Sequence, residues 1–149
     1  MQDRLNPLLD FCRTLDLADP VVACAALEAE FPLEGEYVQG IAAAMRAGVA
    51  AGTMCHKGED PVRFSRVLKP SEATHGFSAD AVLMSAPGPR HRHPQGEIDL
   101  CFVEDGEPTF DGNPPGWTVY PADSAHVPSV KGGKMLILYI LPGGEIEFL

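Results

Sequence analysis

The sequence lacks the features that mark membrane, secreted and nucleic-acid-binding proteins. No apolar run approaches the roughly 20 residues that a membrane-spanning helix needs. The opening stretch MQDRLNPLLD lacks the basic and apolar segments of a secretory signal. Basic residues are few, 11 against 21 acidic ones, and the formal net charge of -10 disfavours contact with nucleic acid. We therefore expect a cytoplasmic protein that binds neither membranes nor nucleic acid.

Motifs built on cysteine or glycine are also missing. The four cysteines are Cys12, Cys24, Cys55 and Cys101, and no two of them form a C-x-x-C pair. This scatter favours reduced thiols over a disulfide framework. No G-x-G-x-x-G fingerprint is present, so nothing in the sequence predicts a bound nucleotide cofactor.

A helical pattern is present over residues 1–52. Apolar residues recur at three- and four-residue intervals in LNPLLDFCRTL, which is typical of one face of a helix. Asp19 followed by Pro20 is typical of a helix start, and a third helix is predicted over 36–51, ended by Gly52. No ionisable cluster lies on these helices. We interpret them as elements that pack on the rest of the chain or on a second copy, and we predict a homodimer or a larger assembly.

Over residues 58–149 the pattern changes to short β-type segments between Gly- and Pro-rich breaks. The segments are VRFSRVL, GFSADAVLM, EIDLCFV, PTFDG, WTVYP, HVPSV and KMLILYIL. Tight turns are predicted at Asp105-Gly106, Asp111-Gly112 and Gly132-Gly133. Short strands at close spacing predict one antiparallel β-barrel, so the expected fold is mainly β with N-terminal α-helices.

The stretch RHRHPQGEIDLCF predicts a metal site. In an extended chain His91 and His93 point the same way, and a turn over 94–96 would bring Glu97 back beside them in one hairpin. His126 is the fourth candidate ligand. Three imidazoles and a carboxylate suit a divalent ion such as zinc, iron, nickel or manganese. The alternative is that these side chains serve in hydrogen bonding or acid–base work without a firmly held ion.

The run EIDLCFV alternates with period two. If Glu97 points into the barrel, Asp99 and Cys101 do so as well. A carboxyl inside a barrel is costly unless something uses or pairs it, so we predict Asp99 as a general acid/base. A solvent-facing Asp99 is the alternative. Cys101 is interpreted as a core residue and His75 as a structural one.

Basic residues in VRFSRVLK are candidates for holding a carboxylate. Arg63, Arg66 and Lys69 lie three residues apart, so a straight strand does not place all three on one face. One of them would project inward and bind a substrate carboxylate through two hydrogen bonds. The other interpretation is a solvated strand edge.

The two histidine-containing motifs resemble the signature motifs of the cupin superfamily. The first is H-x-H followed by a glutamate, as in HRHPQGE, and the second is P-x-G-x-x-H, which PADSAH matches. Asp123 stands where a glycine is usual, and Val130 stands where an asparagine is often found. The resemblance implies a small cupin-type antiparallel β-barrel, a jelly roll, over the second part of the chain.

Over most of its length the chain resembles the 4-hydroxylaminobenzoate lyase family. The similarity covers VRFSRVLKPSEATHGFS, GPRHRHPQGEIDLCF and the segment from GWTVYPADSAHVP to the GGEIEF stretch. Those are small cupin-like proteins of bacterial nitrobenzoate breakdown with a comparable helical N-terminal region. The resemblance implies conversion of 4-hydroxylaminobenzoate and water to 3,4-dihydroxybenzoate and ammonia.

Roles for individual residues follow from this implied chemistry. The metal ligands would be His91, His93, Glu97 and His126, with Asp99 or Glu97 carrying protons. The aromatic ring would lie among Phe77, Trp117 and Tyr120. Arg63 or Arg66 would hold the substrate carboxylate.

Two other classes of function remain open. The first is another metal-dependent cupin enzyme, a dioxygenase or an isomerase, that acts on a small aromatic or sugar acid. The second is a non-catalytic cupin that binds a small anion. Oxygen consumption with bound iron would indicate the first, and tight binding without turnover would indicate the second.

Overall fold

The computed structural model describes residues 1–149, which form three helices followed by nine strands. The helices are α1 (Gln2–Cys12), α2 (Pro20–Glu30) and α3 (Glu36–Ala51). The strands are β1 (Lys57–Glu59), β2 (Val62–Leu68), β3 (Phe77–Met84), β4 (His91–His93), β5 (Glu97–Phe110), β6 (Gly116–Tyr120), β7 (Ser124–His126), β8 (Val130–Pro142) and β9 (Glu147–Phe148). The predicted class, mainly β with N-terminal helices, is confirmed.

The helix ends follow the signals in the sequence. The Asp19 side chain accepts a hydrogen bond from the backbone N–H of Val22, and Pro20 occupies the first turn of α2. Helix α3 ends at Gly52, whose φ of 76° is left-handed, a conformation that glycine adopts without steric cost. None of the three helices combines the length and the apolar character that crossing a bilayer requires.

The strands form two antiparallel sheets arranged as a jelly roll. The large sheet has the order β1-β2-β3-β8-β5-β6, and the small sheet has the order β7-β4-β9. The small sheet lies against the inner face of the large one, since Nε2 of His91 in β4 is 3.5 Å from Oε1 of Glu97 in β5. The division into residues 1–52 and 58–149 stays a prediction.

The two faces of the large sheet bury different side chains. The outer face packs against all three helices in one cluster of 24 buried residues, to which Ile98, Leu100 and Trp117 contribute. The inner face carries a smaller cluster of 8 buried residues, including Cys101 and Tyr139. Alternation along β5 therefore separates the main core from the interior of the jelly roll.

Three local predictions are wrong. The predicted turns at Asp105-Gly106 and Gly132-Gly133 do not form. Gly106 instead pairs with Gly133 inside the β5–β8 ladder, next to a register shift. The turn over 94–96 does not close a hairpin, because β4 and β5 belong to different sheets. The predicted turn at Asp111-Gly112 is confirmed, with φ of 50° and 81°.

Candidate functional site

Four side chains converge where the small sheet meets the large one. His91 and His93 stand two residues apart on β4, and β7 pairs His126 directly with His91. Glu97 opens β5 on the inner face of the large sheet. One ligand atom from each of the four residues lies within 4.8 Å of the others. The structure thus brings together all four side chains that the sequence predicted as metal ligands.

The Glu97 carboxylate lies at the centre of this cluster. Its Oε1 is 3.5 Å from Nε2 of His91, and its Oε2 is 3.5 Å from Nε2 of His93 and 3.2 Å from Nε2 of His126. The Nε2 atoms of His126 and His91 are 3.0 Å apart. All three imidazoles therefore direct the same ring nitrogen at one carboxylate.

Hydrogen bonds on the far side of His93 fix its tautomer. Its Nδ1 lies 2.8 Å from Oγ of Ser124, and that hydroxyl donates its only proton to the carbonyl of Pro121 at 2.6 Å. Nδ1 must then carry the proton and donate to Oγ, which leaves Nε2 with a free lone pair. Nε2 of His93 is buried and has no hydrogen-bond partner.

Asp111 binds Nδ1 of His126, as Ser124 binds Nδ1 of His93. Oδ2 of Asp111 lies 2.6 Å from Nδ1 of His126 and also accepts a hydrogen bond from the hydroxyl of Tyr120, while Oδ1 accepts from the backbone N–H of Ser129 at 2.7 Å. A carboxylate that binds the second nitrogen of a histidine is the usual support for a metal-ligating imidazole. No pattern in the sequence indicates this role, because Asp111 followed by Gly112 predicts only a turn.

Two carboxyl groups of the inner face have opposite pKa shifts. Burial alone raises the pKa of Glu97, but the imidazoles of His126 and His91 outweigh it and hold that pKa below its usual value. Burial and the neighbouring Glu97 charge raise the pKa of Asp99 well above its usual value. These shifts favour an ionised Glu97 beside a protonated Asp99. Asp99 is fully buried, so the solvent-facing alternative is wrong.

Two histidines of the cluster also have opposite pKa shifts. Burial lowers the pKa of His93. Burial also lowers the pKa of His126, but Asp111 and Glu97 outweigh it and raise that pKa to about 9. The two carboxylates that favour a proton on His126 also favour a metal cation in its place.

The cluster fits a divalent cation. Both oxygens of Glu97 and Nε2 of His93 are buried without a hydrogen-bond partner of good geometry, an arrangement that costs free energy unless a cation or proton is shared among them. Three neutral nitrogens and one carboxylate are a donor set that zinc, iron, nickel and manganese accept. Metal ligation by these four residues stays a prediction.

A pocket of about 290 Å³ opens beside this cluster. His91 lines it on one side, and Arg66, Asp80 and Met84 line it from the large sheet. Arg66 is bound to Asp80, with Nε 2.9 Å from Oδ1 and Nη2 3.3 Å from Oδ2. Lys57, which the sequence did not indicate, also lines the pocket and forms no ion pair. The pocket combines apolar walls with two cationic side chains.

Only Arg66 among the predicted substrate-binding residues lines this pocket. Arg63 pairs in register with Leu83 on the outer face and binds Asp60, with Nε 3.1 Å from Oδ1. Phe77 and Trp117 belong to the cluster that packs on the helices. These three residues lie on the opposite face of the sheet from the histidines, so the structure does not support a substrate contact for them.

Tyr120 lies near the histidines but outside that pocket. Its ring centroid is 5.3 Å from that of His93 and 4.4 Å from that of His126. Burial, followed by the hydrogen bond to Asp111, raises the pKa of its hydroxyl. Tyr120 therefore supports the imidazoles and the Asp111 carboxylate.

Two further residues occupy the places that the sequence suggested. Cys101 is buried on the inner face, and burial raises its pKa well above the usual value, which makes a nucleophilic thiolate unfavourable. His75 lies far along the chain from the cluster and binds Asp10 of α1, with Nε2 2.5 Å from Oδ1. This contact links the strand region to the first helix.

Comparison with known proteins gives the family and the fold. The model of the PnbB family, described as 4-hydroxylaminobenzoate lyase, matches residues 9–148. A 4-hydroxylaminobenzoate lyase of Nocardioides sp. (strain LMS-CY) is 32% identical over 125 residues, which cover 76% of this chain and 73% of that protein. The Pseudomonas putida protein of the same name is 30% identical over 102 residues, 58% of each chain.

Among solved structures, the DMSP lyase DddQ from Ruegeria pomeroyi DSS-3 has a TM-score of 0.50 at 19% identity, covering 71% of this chain and 67% of that one. An RmlC-like cupin protein from Ralstonia eutropha JMP134 has a TM-score of 0.47 at 17% identity over 61% of each chain. The two antiparallel sheets form the jelly roll expected of a cupin, and by its sequence the chain belongs to the 4-hydroxylaminobenzoate lyase family.

Proposed function

We propose that this protein converts 4-hydroxylaminobenzoate and water to 3,4-dihydroxybenzoate and ammonia. The observation that carries the proposal is the cluster of three histidines and Glu97 beside a pocket with apolar walls and cationic Arg66. Two relatives named 4-hydroxylaminobenzoate lyase, at about 30% identity, support the same reaction.

The proposed reaction balances without an external oxidant or reductant. The N–O bond breaks with its electron pair going to oxygen, which leaves as water after protonation. A second water adds to the neighbouring ring carbon, so that this carbon is oxidised as the nitrogen is reduced. A third water hydrolyses the resulting imine at the carbon that bears nitrogen, ammonia leaves, and loss of a ring proton restores the aromatic catechol. The net change consumes one water, and no nicotinamide or flavin is required.

His91, His93, Glu97 and His126 would hold the divalent ion. When bound, such an ion supplies Lewis acidity and lowers the pKa of a coordinated water. Ser124 and Asp111 keep the Nδ1 protons of two of these histidines and direct the Nε2 lone pairs inward. Zinc, iron, nickel and manganese all suit this donor set.

Proton transfer is assigned to the two carboxyl groups of β5. Asp99 lies on the same face as Glu97 and is fully buried, and burial together with the neighbouring Glu97 raises its pKa well above the usual value. A protonated Asp99 can donate to the departing N–O oxygen and later recover a proton from the attacking water. Burial and the negative charge of Glu97 both raise the pKa of Asp99, which favours the return of Asp99 to its protonated form.

Substrate orientation is assigned to Arg66. Its bond to Asp80 fixes the guanidinium at the pocket wall, and the remaining N–H donors can meet a ring carboxylate. The carboxylate would then lie at one side of the pocket and the hydroxylamino group toward His91. Lys57 adds a second positive charge to the same wall.

The proposal is tested by incubating the purified protein with 4-hydroxylaminobenzoate. Ammonia and 3,4-dihydroxybenzoate should appear in equal amounts with no oxygen consumed. Oxygen uptake would indicate a dioxygenase instead, and binding of the acid without product would indicate a non-catalytic anion-binding cupin.

The proposed reaction places the protein in the breakdown of 4-nitrobenzoate. Its substrate would form by partial reduction of the nitro group. The cytoplasmic location and the homodimer are predictions. Light scattering at micromolar concentration tests the second, since a mass of 16.0 kDa would show a monomer.

A further inference from the structure

Two phenylalanines are exposed at the rim of the pocket beside His91. Phe64 is 48% exposed and Phe148 is 64% exposed, and both line the same pocket. Exposed aromatic rings around a concave apolar surface are unfavourable in a soluble protein unless something covers them, and they commonly mark a binding site.

The two rings come from different sheets. Phe64 on β2 pairs in register with Val82, which places it on the inner face of the large sheet. Phe148 on β9 pairs with His91 in the small sheet, and its ring centroid is 6.1 Å from that of His91 at an angle of 80°. A flat ligand in the pocket would therefore meet one ring from each sheet.

We propose that Phe64 and Phe148 are the side chains that bind the aromatic ring of the substrate. This inference rests on the proposed function and adds to it the residues that recognise the ring. The pocket, at about 290 Å³, is at the lower end of small-molecule sites, which suits a single-ring acid. Aromatic rings attract one another in offset or edge-to-face arrangements, so these walls favour an aromatic acid over a saturated one.

Arg92 is the positioning residue for Phe148. Strand β9 has only two residues, Glu147 and Phe148, and two residues of backbone pairing hold a strand weakly. Arg92 binds Glu147, with Nη2 2.9 Å from Oε2, and also binds Asp123 of the turn before β7. Arg92 thereby fixes β9 against β4, and with it the Phe148 ring against His91.

The test compares two acids of the same charge, benzoate and cyclohexanecarboxylate, by calorimetric titration. Phe64→Leu and Phe148→Leu should each raise the Kd of benzoate about tenfold and change that of cyclohexanecarboxylate much less, because only benzoate loses an aromatic contact. The control Val21→Ala removes an apolar side chain that is 78% exposed on α2 and should leave both Kd values unchanged. Equal losses for the two acids, or no loss for benzoate, would overturn the proposal.

The positioning role has its own readout. Arg92→Gln should raise the Kd of benzoate as Phe148→Leu does, and Arg92→Lys should restore part of the affinity. The double variant Arg92→Gln/Phe148→Leu should be no weaker than Phe148→Leu alone, because the two residues act through one ring. Additive losses would contradict the assignment of Arg92.

Binding and turnover measurements test the ring site and the lyase reaction separately. Wild-type protein that releases ammonia while both leucine variants keep the wild-type KM would overturn the ring site and leave the lyase reaction standing. Benzoate binding that depends on Phe64 and Phe148, without any ammonia release, would uphold the ring site and refute the lyase reaction. Wild-type protein that binds no benzoate would overturn the ring site.

Discussion

The two faces of the large sheet are formed by the same strands but carry different kinds of side chain. Along β5, Ile98 and Leu100 point outward into the cluster shared with the helices, whereas Glu97, Asp99 and Cys101 point inward toward the histidines. The outer face is closed by hydrophobic packing. The inner face holds carboxyl and imidazole groups with few hydrogen-bond partners.

Within strand β5, the outward side chains contribute to stability and the inward side chains belong to the candidate site. A buried polar group without a partner costs about 1–3 kcal/mol, and the inner face contains several such groups. Burial of a leucine or isoleucine side chain contributes about 1.5–3 kcal/mol, and the outer face contains many of these. We infer that packing on the outer face offsets the cost of the unpaired polar groups on the inner face. The comparison predicts that variants of the inner face change activity and variants of the outer face change stability.

The largest effect is expected from the histidines. Replacing His91, His93 or His126 by alanine should abolish turnover and weaken metal binding by more than the roughly 10–100-fold that loss of an outer partner costs. The thermal transition should stay cooperative, because the main core lies on the other face. Full activity of all three variants after exhaustive chelation would refute the metal site and leave Glu97 and Asp99 as an acid–base pair working without an ion.

Asp99→Asn should have the next largest effect. The change keeps the shape of the side chain and removes its proton-donating carboxyl, so kcat should fall roughly 10²–10⁴-fold while the bound metal is retained. Metal content and kcat measured on the same preparation check this. Loss of metal together with kcat would mean that Asp99 serves as a ligand or supports one.

Asp111→Asn tests the support of His126 from outside the ligand cluster. Asn keeps an acceptor for Nδ1 of His126 but loses the charge, so metal affinity should fall about 10–100-fold. The readout is competition against a chelator of known affinity. Unchanged affinity would show that the charge of Asp111, whose Oδ2 is 2.6 Å from Nδ1 of His126, does not contribute to metal binding.

Trp117→Phe on the outer face should have the smallest effect on activity. It removes the hydrogen bond from Nε1 to the carbonyl of Phe31, 2.8 Å long, and part of a buried ring, so unfolding should cost about 1–3 kcal/mol less. The kcat per folded molecule should not change. A lowered kcat in fully folded protein would show that Trp117 contributes to the substrate site and that the outer face also affects activity.

Much of the fold was predictable because its signals are local. The cap at Asp19, the terminating Gly52 and the limits of β2 all follow from neighbouring residues in the sequence. The turns at Asp105-Gly106 and Gly132-Gly133 were predicted wrongly for the opposite reason. Gly106 pairs with Gly133 in the β5–β8 ladder, and local turn chemistry cannot reveal a partner so distant in the sequence.

The site was predictable in part. His91 and His93 fall on one face of any extended chain, and Glu97 follows them after a short turn, so the local sequence is enough to predict a metal site. Arg63 and Arg66 are three residues apart and must face opposite sides, but only their pairing with β3 decides which one points inward. The same holds for Trp117 and Tyr120, three residues apart on β6. Asp111 was missed because its contact with His126 is purely tertiary.

Elemental analysis of purified protein shows directly whether the inner-face cluster of His91, His93, Glu97 and His126 binds a divalent ion. Wild-type protein and Trp117→Phe should each carry about one divalent ion per chain, as expected for a single cluster of four ligands, and His93→Ala should carry almost none. A wild-type protein without any bound divalent ion after metal-supplemented growth would refute the metal site, and so would a His93→Ala protein with the wild-type metal content.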